Sequence, residues 1–167
     1  QGVFAGPARC LFRLYEAPPD TTGLLFDNGM RFHGAEVMQD GLPRGGPLVR
    51  HEGETIRLRL WWSVDQPPAR DYSVGVYALR TGAGLQAESN SAPQVTYPPG
   101  APVETSRWIP GSYYVEERDL ELVYPTPRMS LDVYLAVYTW DDNARAAAPG
   151  MTDDLLLPLL SVYVMAY

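Results

Sequence analysis

The chain has 167 residues, a formal net charge of −7 and 46% hydrophobic residues. That length suits one domain with a sizeable core, since a domain of about 150 residues buries roughly 70% of its unfolded-chain surface. The acidic balance argues against nucleic acid, whose phosphate backbone needs a clustered positive surface.

All 13 basic residues are arginine, which pairs carboxylates bidentately and stacks on aromatics, a composition suited to a robust, thermophile-like surface. Sixteen prolines and 15 glycines, beside 11 tyrosines and four tryptophans, describe short strands joined by tight turns. Cys10 is the single cysteine, so no internal disulfide forms, and it is expected as a small buried apolar residue. No apolar run reaches the 18 residues that would span a bilayer. Gln1, with no signal peptide ahead of it, is expected as a processed mature end or a trimmed chain.

Residues 1–9 read as an irregular arm and Cys10 to Tyr15 as a possible first strand, so that 1–23 stand apart from a sandwich domain over 24–167. Leu24-Leu25-Phe26 meets Asp27-Asn28-Gly29, and Asn-Gly between apolar segments is a strong hairpin signal. Met30 to Met38 continues as a strand, and Gly41 to Pro47 reads as a loop. Thr55 to Trp62 alternates strictly, with Ile56, Leu58, Leu60 and Trp62 on one side and Thr55, Arg57, Arg59 and Trp61 on the other. That period of two marks an antiparallel strand with one face on a core. Asp71 to Leu79 alternates again, with Tyr72, Val74, Val76 and Ala78 on one face. Thr81 to Gly84 turns the chain, and Ala87 to Pro102 reads as a long polar loop. Trp108-Ile109-Pro110-Gly111 is a tight corner into Tyr113-Tyr114-Val115 and on through Leu122. Leu131 to Tyr138 is the cleanest alternation. Trp140-Asp141-Asp142-Asn143 opens a loop, and Leu155 to Tyr167 is expected as the closing core strand. About eight or nine strands without helical periodicity predict an all-β fold, a two-sheet antiparallel β-sandwich of jelly-roll or immunoglobulin-like type.

The order of these motifs resembles a known module. Phe26-x-Asn28-Gly29-Met30-Arg31-Phe32-x-Gly34-Ala35-Glu36 is followed by the Glu52–Trp62 strand, by Asp71-Tyr72-Ser73-Val74-Gly75-Val76-Tyr77, by Thr105-x-x-Trp108-Ile109-Pro110-Gly111 and by Leu131–Tyr138. This is similar to a β-sandwich module of green non-sulfur bacteria, often found at the extracytoplasmic end of multi-pass membrane glycosyltransferases. The likeness covers about residues 24–140. It implies an extracytoplasmic accessory domain, with saccharide binding as one option and no catalytic residues to carry over. The membrane-enzyme portion is absent and residues 1–23 lie outside the usual motif, so a free-standing secreted or surface subunit is expected.

Chemistry-bearing residues are sparse. A nucleophile elbow is absent, and His33 and His51 read as satisfied or solvated. Glu116, Glu117, Asp119 and Glu121 are carboxylates of the right type for a glycosidase, yet Glu117, Asp119 and Glu121 share a strand face that a solvated surface explains. No cofactor is called for. Asp141-Asp142-Asn143 and Asp153-Asp154 are oxygen-rich and could hold a structural calcium, but they lack the spacing of a dedicated loop, and plain turn chemistry is the alternative. Zinc is excluded by one cysteine and two histidines.

Aromatics remain. Tyr134 and Tyr138, Tyr77 and Tyr163 each oppose core-facing residues on their strands. If those strands are neighbours, they form a stripe on an outer sheet face, able to stack sugars, to bury itself in a partner or simply to pair across strands. Trp61 and Trp108 are the best single sugar platforms, and Arg57, Arg59 and Trp61 form a contact patch if that face is open. Two functions are therefore expected from this sequence. The first is a non-enzymatic extracytoplasmic subunit of a cell-surface assembly, with other proteins or its own copies as partners and residues 1–9 as a donor strand. The alternative is a carbohydrate-binding module with a polysaccharide partner.

Overall fold

The structure is a computed structural model and describes residues 17–39, 42–44, 48–51, 53–80, 82–122 and 128–165. Over these residues the chain is a sandwich of two β-sheets, with a single 3-10 turn at Thr105–Arg107. No helix among the described residues is long and apolar enough to cross a membrane.

The first sheet runs in the order β1 (Leu24–Leu25), β2 (Met30–Gln39), β5 (Thr55–Val64), β9 (Tyr114–Glu121) and β8 (Val95–Tyr97), with β3 (Leu42–Arg44) pairing to the far end of β2. The second is β4 (Leu48–His51), β11 (Leu157–Met165), β10 (Met129–Tyr138), β6 (Ser73–Arg80) and β7 (Gly84–Ser91). Pairing is antiparallel except where β4 joins β11 in parallel, which makes the second sheet mixed. Strand exceeds expectation in three places, one of them β4, where no element was expected. Residues 41–47 contain β3, and the supposed loop over Ala87 to Pro102 contains most of β7 and all of β8. These are edge strands. Backbone bonds to a single neighbour hold them, so their side chains need no hydrophobic alternation. The expected strand at Cys10 to Tyr15, the arm 1–9 and Cys10 itself lie outside the described residues.

The core is built from the alternating faces. Ile56, Leu58, Leu60 and Trp62 of β5 are fully buried, opposite Val74, Val76 and Ala78 of β6 and Leu131, Val133, Leu135 and Val137 of β10. Val162 and Val164 of β11 close it, as the sequence predicts. Trp62 sits among aromatics, 5.0 Å from Phe32 and 6.2 Å from Phe26 between ring centroids. The Asn28-Gly29 turn forms as expected: the Asn28 side chain accepts the Met30 amide at 3.0 Å, and Gly29 takes the left-handed backbone at φ +90.

One buried ion pair ties the two sheets together. Glu116 and Arg118 lie on the inner face of β9 with no exposed surface and meet at 2.9 Å. Glu116 also accepts the Trp62 indole N–H at 2.8 Å and the Gln94 amide at 2.9 Å. Arg118 donates to the Ser91 hydroxyl at 2.7 Å and the Ala92 carbonyl at 3.1 Å, at the end of β7 in the opposite sheet. Every charge here has partners, the condition under which a buried pair is tolerated.

Candidate functional site

The outer face of the first sheet is where Arg57, Arg59 and Trp61 project, and it is largely closed. Trp61 is 2% exposed, its indole N–H donates to Glu36 at 2.9 Å, and Tyr113 meets it edge-on at 6.2 Å. Arg59 is buried and pairs with Glu117 at 3.0 Å. Only Arg57 stays exposed, held by Asp119 through two bonds of 2.7 and 2.8 Å. The arginine–tryptophan patch was conditional on an open face, and at Arg59 and Trp61 that face is closed: a period of two assigns the side of the sheet but not whether something lies over it. Of the four carboxylates weighed for glycosidase chemistry, Glu116 is locked in the core network and Glu117 and Asp119 are paired with arginines.

Trp108 is also covered, at 1% exposure. It stacks on Tyr114 with ring centroids 4.4 Å apart and planes 9° from parallel, and its indole N–H donates to the Pro102 carbonyl at 2.8 Å. The Tyr114 hydroxyl in turn accepts the Ile109 amide at 2.8 Å. The Trp-Ile-Pro-Gly corner is thus a clasp for the loop before β9, not a platform. His33 is satisfied as expected. Its Nδ1–H donates to the Asp20 carbonyl at 2.7 Å, which leaves Nε2 to accept the Ser63 hydroxyl at 2.8 Å. The backbone bulge at Gly34, φ +111, turns the strand there.

The tyrosine stripe does assemble on the outer face of the second sheet. Tyr77 on β6 and Tyr134 on β10 are direct cross-strand partners, and Tyr138 lies opposite Ser73. Tyr163 is separate: it pairs with Ser130 and Val49 nearer the β4 edge. Between Tyr77 and Tyr138 the floor is formed by Gly75 and Ala136, themselves cross-strand partners. The small floor is a spatial requirement. A Cβ on Gly75 would collide with the Tyr77 hydroxyl and approach Asn90 Oδ1 to 2.6 Å. Gly75 thus lets those two polar groups converge over the sheet.

Trp140 stands beside this depression. It is 72% exposed, the only one of the four tryptophans that is not buried. On one side of it lies an open concavity of about 430 Å³ lined by Tyr77, Glu88, Asn90, Tyr138, Asn143 and Arg145. On the other lies one of about 440 Å³ lined by residues that include Tyr72, Ser73, Ala92 and Val103. Trp140 and Asn90 line both, so the two concavities adjoin at the indole and together make the groove. Burial pushes the Tyr77 and Tyr138 phenols above the usual tyrosine range, so they remain neutral hydroxyls at neutral pH.

The Trp140 loop is pinned by its acidic residues. Arg70 pairs with Asp141 at 2.6 Å and with Asp142 at 3.0 Å. Asp142 also accepts the Thr139 hydroxyl and, at 3.0 Å, the Ala144 amide. These bonds, with the Arg70 pair, lower its carboxyl to about 2. The Asp141 and Asp142 carboxylates are thus engaged by Arg70 and, for Asp142, by the loop's own donors. No group of three metal-ligating side chains occurs among the described residues.

Comparison with known proteins gives shape alone. No family model matches the chain, and no curated protein does. Among solved structures, the C-terminal domain of Wzt is similar at 10% identity, over 91% of this chain and 84% of that one, with a TM-score of 0.50. The chain has a β-sandwich fold. A Niemann-Pick type C2 protein from Japanese carpenter ant is similar at 6% identity, over 85% of this chain and 92% of that one, with a TM-score of 0.46. A CARDB domain from Pyrococcus furiosus, in complex with di-metal ions, is similar at 11% identity over 84% and 97%, with a TM-score of 0.40.

Sequence reasoning had the tyrosine stripe but not Trp140, which was read only as the start of a loop. The available signal was a large aromatic directly before Asp-Asp-Asn, outside any alternating run and so without a core position to fill.

Proposed function

We propose that this protein is a non-catalytic binding module that holds a saccharide in the groove around Trp140. One observation carries the reading: the exposed indole of Trp140 stands over a concavity bordered by Tyr77 and Tyr138, with Asn90, Glu88 and Arg145 as polar groups on its lining. Flat apolar rings with a few converging polar groups suit the mixed faces of a sugar ring. The groove carries Glu88 on its Tyr77–Tyr138 side and Asp71 and Glu104 on the other. The resemblance to accessory modules of membrane glycosyltransferases supports a place outside the cytoplasm. Titration of the full chain with a polysaccharide panel, read by tryptophan emission, tests the assignment. Binding that disappears in Trp140→Ala is expected; a full panel without a binder overturns it.

A second reading, a subunit of a surface assembly, draws on the β4 edge. There Tyr163 and Val49 are partners across the parallel pair and both are exposed. Light scattering of the intact chain checks it: an oligomer that Tyr163→Ser dissociates supports this contact, and a monomer at all concentrations removes it.

A further inference from the structure

The two halves of the groove differ in chemistry. On the Tyr72–Val103 side the lining is mostly apolar surface, and several of its polar groups are engaged within the protein. Asp71 accepts the Ser106 amide at 3.0 Å, and the Ser91 hydroxyl takes Arg118 at 2.7 Å and donates to the Ala92 carbonyl at 2.7 Å. The Tyr72 amide donates to Thr105 at 2.9 Å. Besides the Asp71 and Glu104 carboxylates and the shared Asn90 and Trp140, a ligand meets the Tyr72 side chain, Ala92 and the half-exposed Val103. On the Tyr77–Tyr138 side the polar groups have capacity left. Glu88 takes one bond through Oε2 from Asn90 at 2.8 Å, and Arg145 gives one N–H of its guanidinium to the Asp154 carbonyl at 2.5 Å.

Charge narrows the ligand further. Glu88 and Arg145 offset each other on the polar side, whereas Asp71 and Glu104 line the apolar side, in a chain of net charge −7. A polyanion meets repulsion here and a neutral polymer does not. Both concavities are open, and each is of the size that holds a small ligand, so a single sugar unit leaves one half empty.

Resting on the saccharide reading, we infer that the groove takes an internal stretch of a neutral polysaccharide. A hydroxyl-rich unit sits on the Tyr77–Tyr138 side of Trp140, and a unit bearing a deoxy, O-methyl or O-acetyl group sits on the Tyr72–Val103 side. The substituent's apolar surface replaces water over Tyr72 and Val103, and its neighbour's hydroxyls meet Glu88, Asn90 and Arg145.

The test uses the full chain with four probes: O-acetylated glucomannan, the same polymer after alkaline deacetylation, a rhamnan as the 6-deoxy polymer, and polygalacturonate. The acetylated and 6-deoxy polymers are expected to bind about tenfold more tightly than the deacetylated one, the discrimination an apolar group earns in an apolar site. Polygalacturonate is expected to be weakest. Val103→Asp, at an exposed position, should remove the preference for the acetylated over the deacetylated polymer, and Arg145→Ala should weaken all three neutral polymers together. Equal binding of acetylated and deacetylated glucomannan, or a preference for polygalacturonate, overturns this inference and leaves the saccharide reading standing. Failure of all four to bind overturns both.

Discussion

Two arginine–carboxylate pairs, one within β9 and one between β5 and β9, allow burial to be weighed against geometry. Arg118 and Glu116 are 2.9 Å apart with no exposed surface, while Arg57 and Asp119 are 2.7 Å apart with Arg57 54% exposed. In Arg118→Met the buried Glu116 carboxylate keeps the Trp62 and Gln94 N–H groups but loses its countercharge, and the Ser91 and Ala92 acceptors lose their donor. Breaking a buried pair from one side costs about 3–5 kcal/mol, a large share of the roughly 5–15 kcal/mol that holds a domain folded. Arg57→Ala removes an exposed pair and should cost no more than about 1 kcal/mol. With a urea slope of about 2 kcal/mol per molar, the Arg118→Met midpoint falls by about 2 M and the Arg57→Ala midpoint by about 0.5 M or less. The double variant Glu116→Gln/Arg118→Met should recover much of the loss, because no lone charge remains buried. Equal midpoint shifts for the two single variants, or a double variant no better than Arg118→Met, would refute the reasoning.

Three further outcomes are expected. Acrylamide should quench the Trp140 share of the emission and little else, and Trp140→Ala should change stability by less than about 0.5 kcal/mol, as surface substitutions do, while removing most of the quenching. Gly75→Ala should lower saccharide affinity by displacing the Tyr77 hydroxyl and Asn90, with circular dichroism confirming an intact sandwich; unchanged affinity would show that the floor is not part of the site. In acid, Asp142 titrates near 2 when folded, against an ordinary value near 4 when unfolded. A lowered folded value means the contribution is complete above about pH 4 and is lost as pH falls toward 2. Urea midpoints at pH 5, 4 and 2.5 should therefore drop less for Asp142→Asn than for the parent.

The strands that carry the core were legible because each has apolar residues at every second position over a full length: β5, β6, β10 and β11 all fall where alternation places them. β7 was not, since Gly-Leu-Gln-Ala-Glu-Ser-Asn-Ser presents only Ala87 to the core. Its pairing comes from the neighbouring β6 backbone, which local composition does not record. Glu116 and Arg118 were hidden for a related reason. They occupy inward positions of a charged run, and only the arrival of Trp62 from β5 and Ser91 from β7 makes those positions tolerable. On the outer face of the second sheet, Tyr77, Tyr134 and Tyr138 could be read because the strand period fixes their side. Trp61 and Trp108 could not be told from platforms, because coverage depends on distant groups such as Glu36 and Pro102.

The proposed role of Trp140 as a platform draws on the loop that carries it. An exposed ring on a loose loop loses motion when a ligand orders it, and that cost is subtracted from affinity. Here Arg70 grips both residues that follow Trp140, and Asp142 closes the loop onto Thr139 and Ala144. Those ion pairs are exposed, so Arg70→Ala should leave stability close to that of the parent. Its effect should fall on binding instead. Ordering a released Trp140 side chain costs about 0.5–1.5 kcal/mol, which corresponds to a two- to tenfold weaker dissociation constant for the bound polysaccharide, with faster release and a nearly unchanged association rate. Arg70→Lys keeps the charge without the planar fork and should recover only part of the loss. An Arg70→Ala chain that binds as tightly as the parent would mean that the clamp serves the loop's fold alone and that the ligand does not depend on a fixed Trp140.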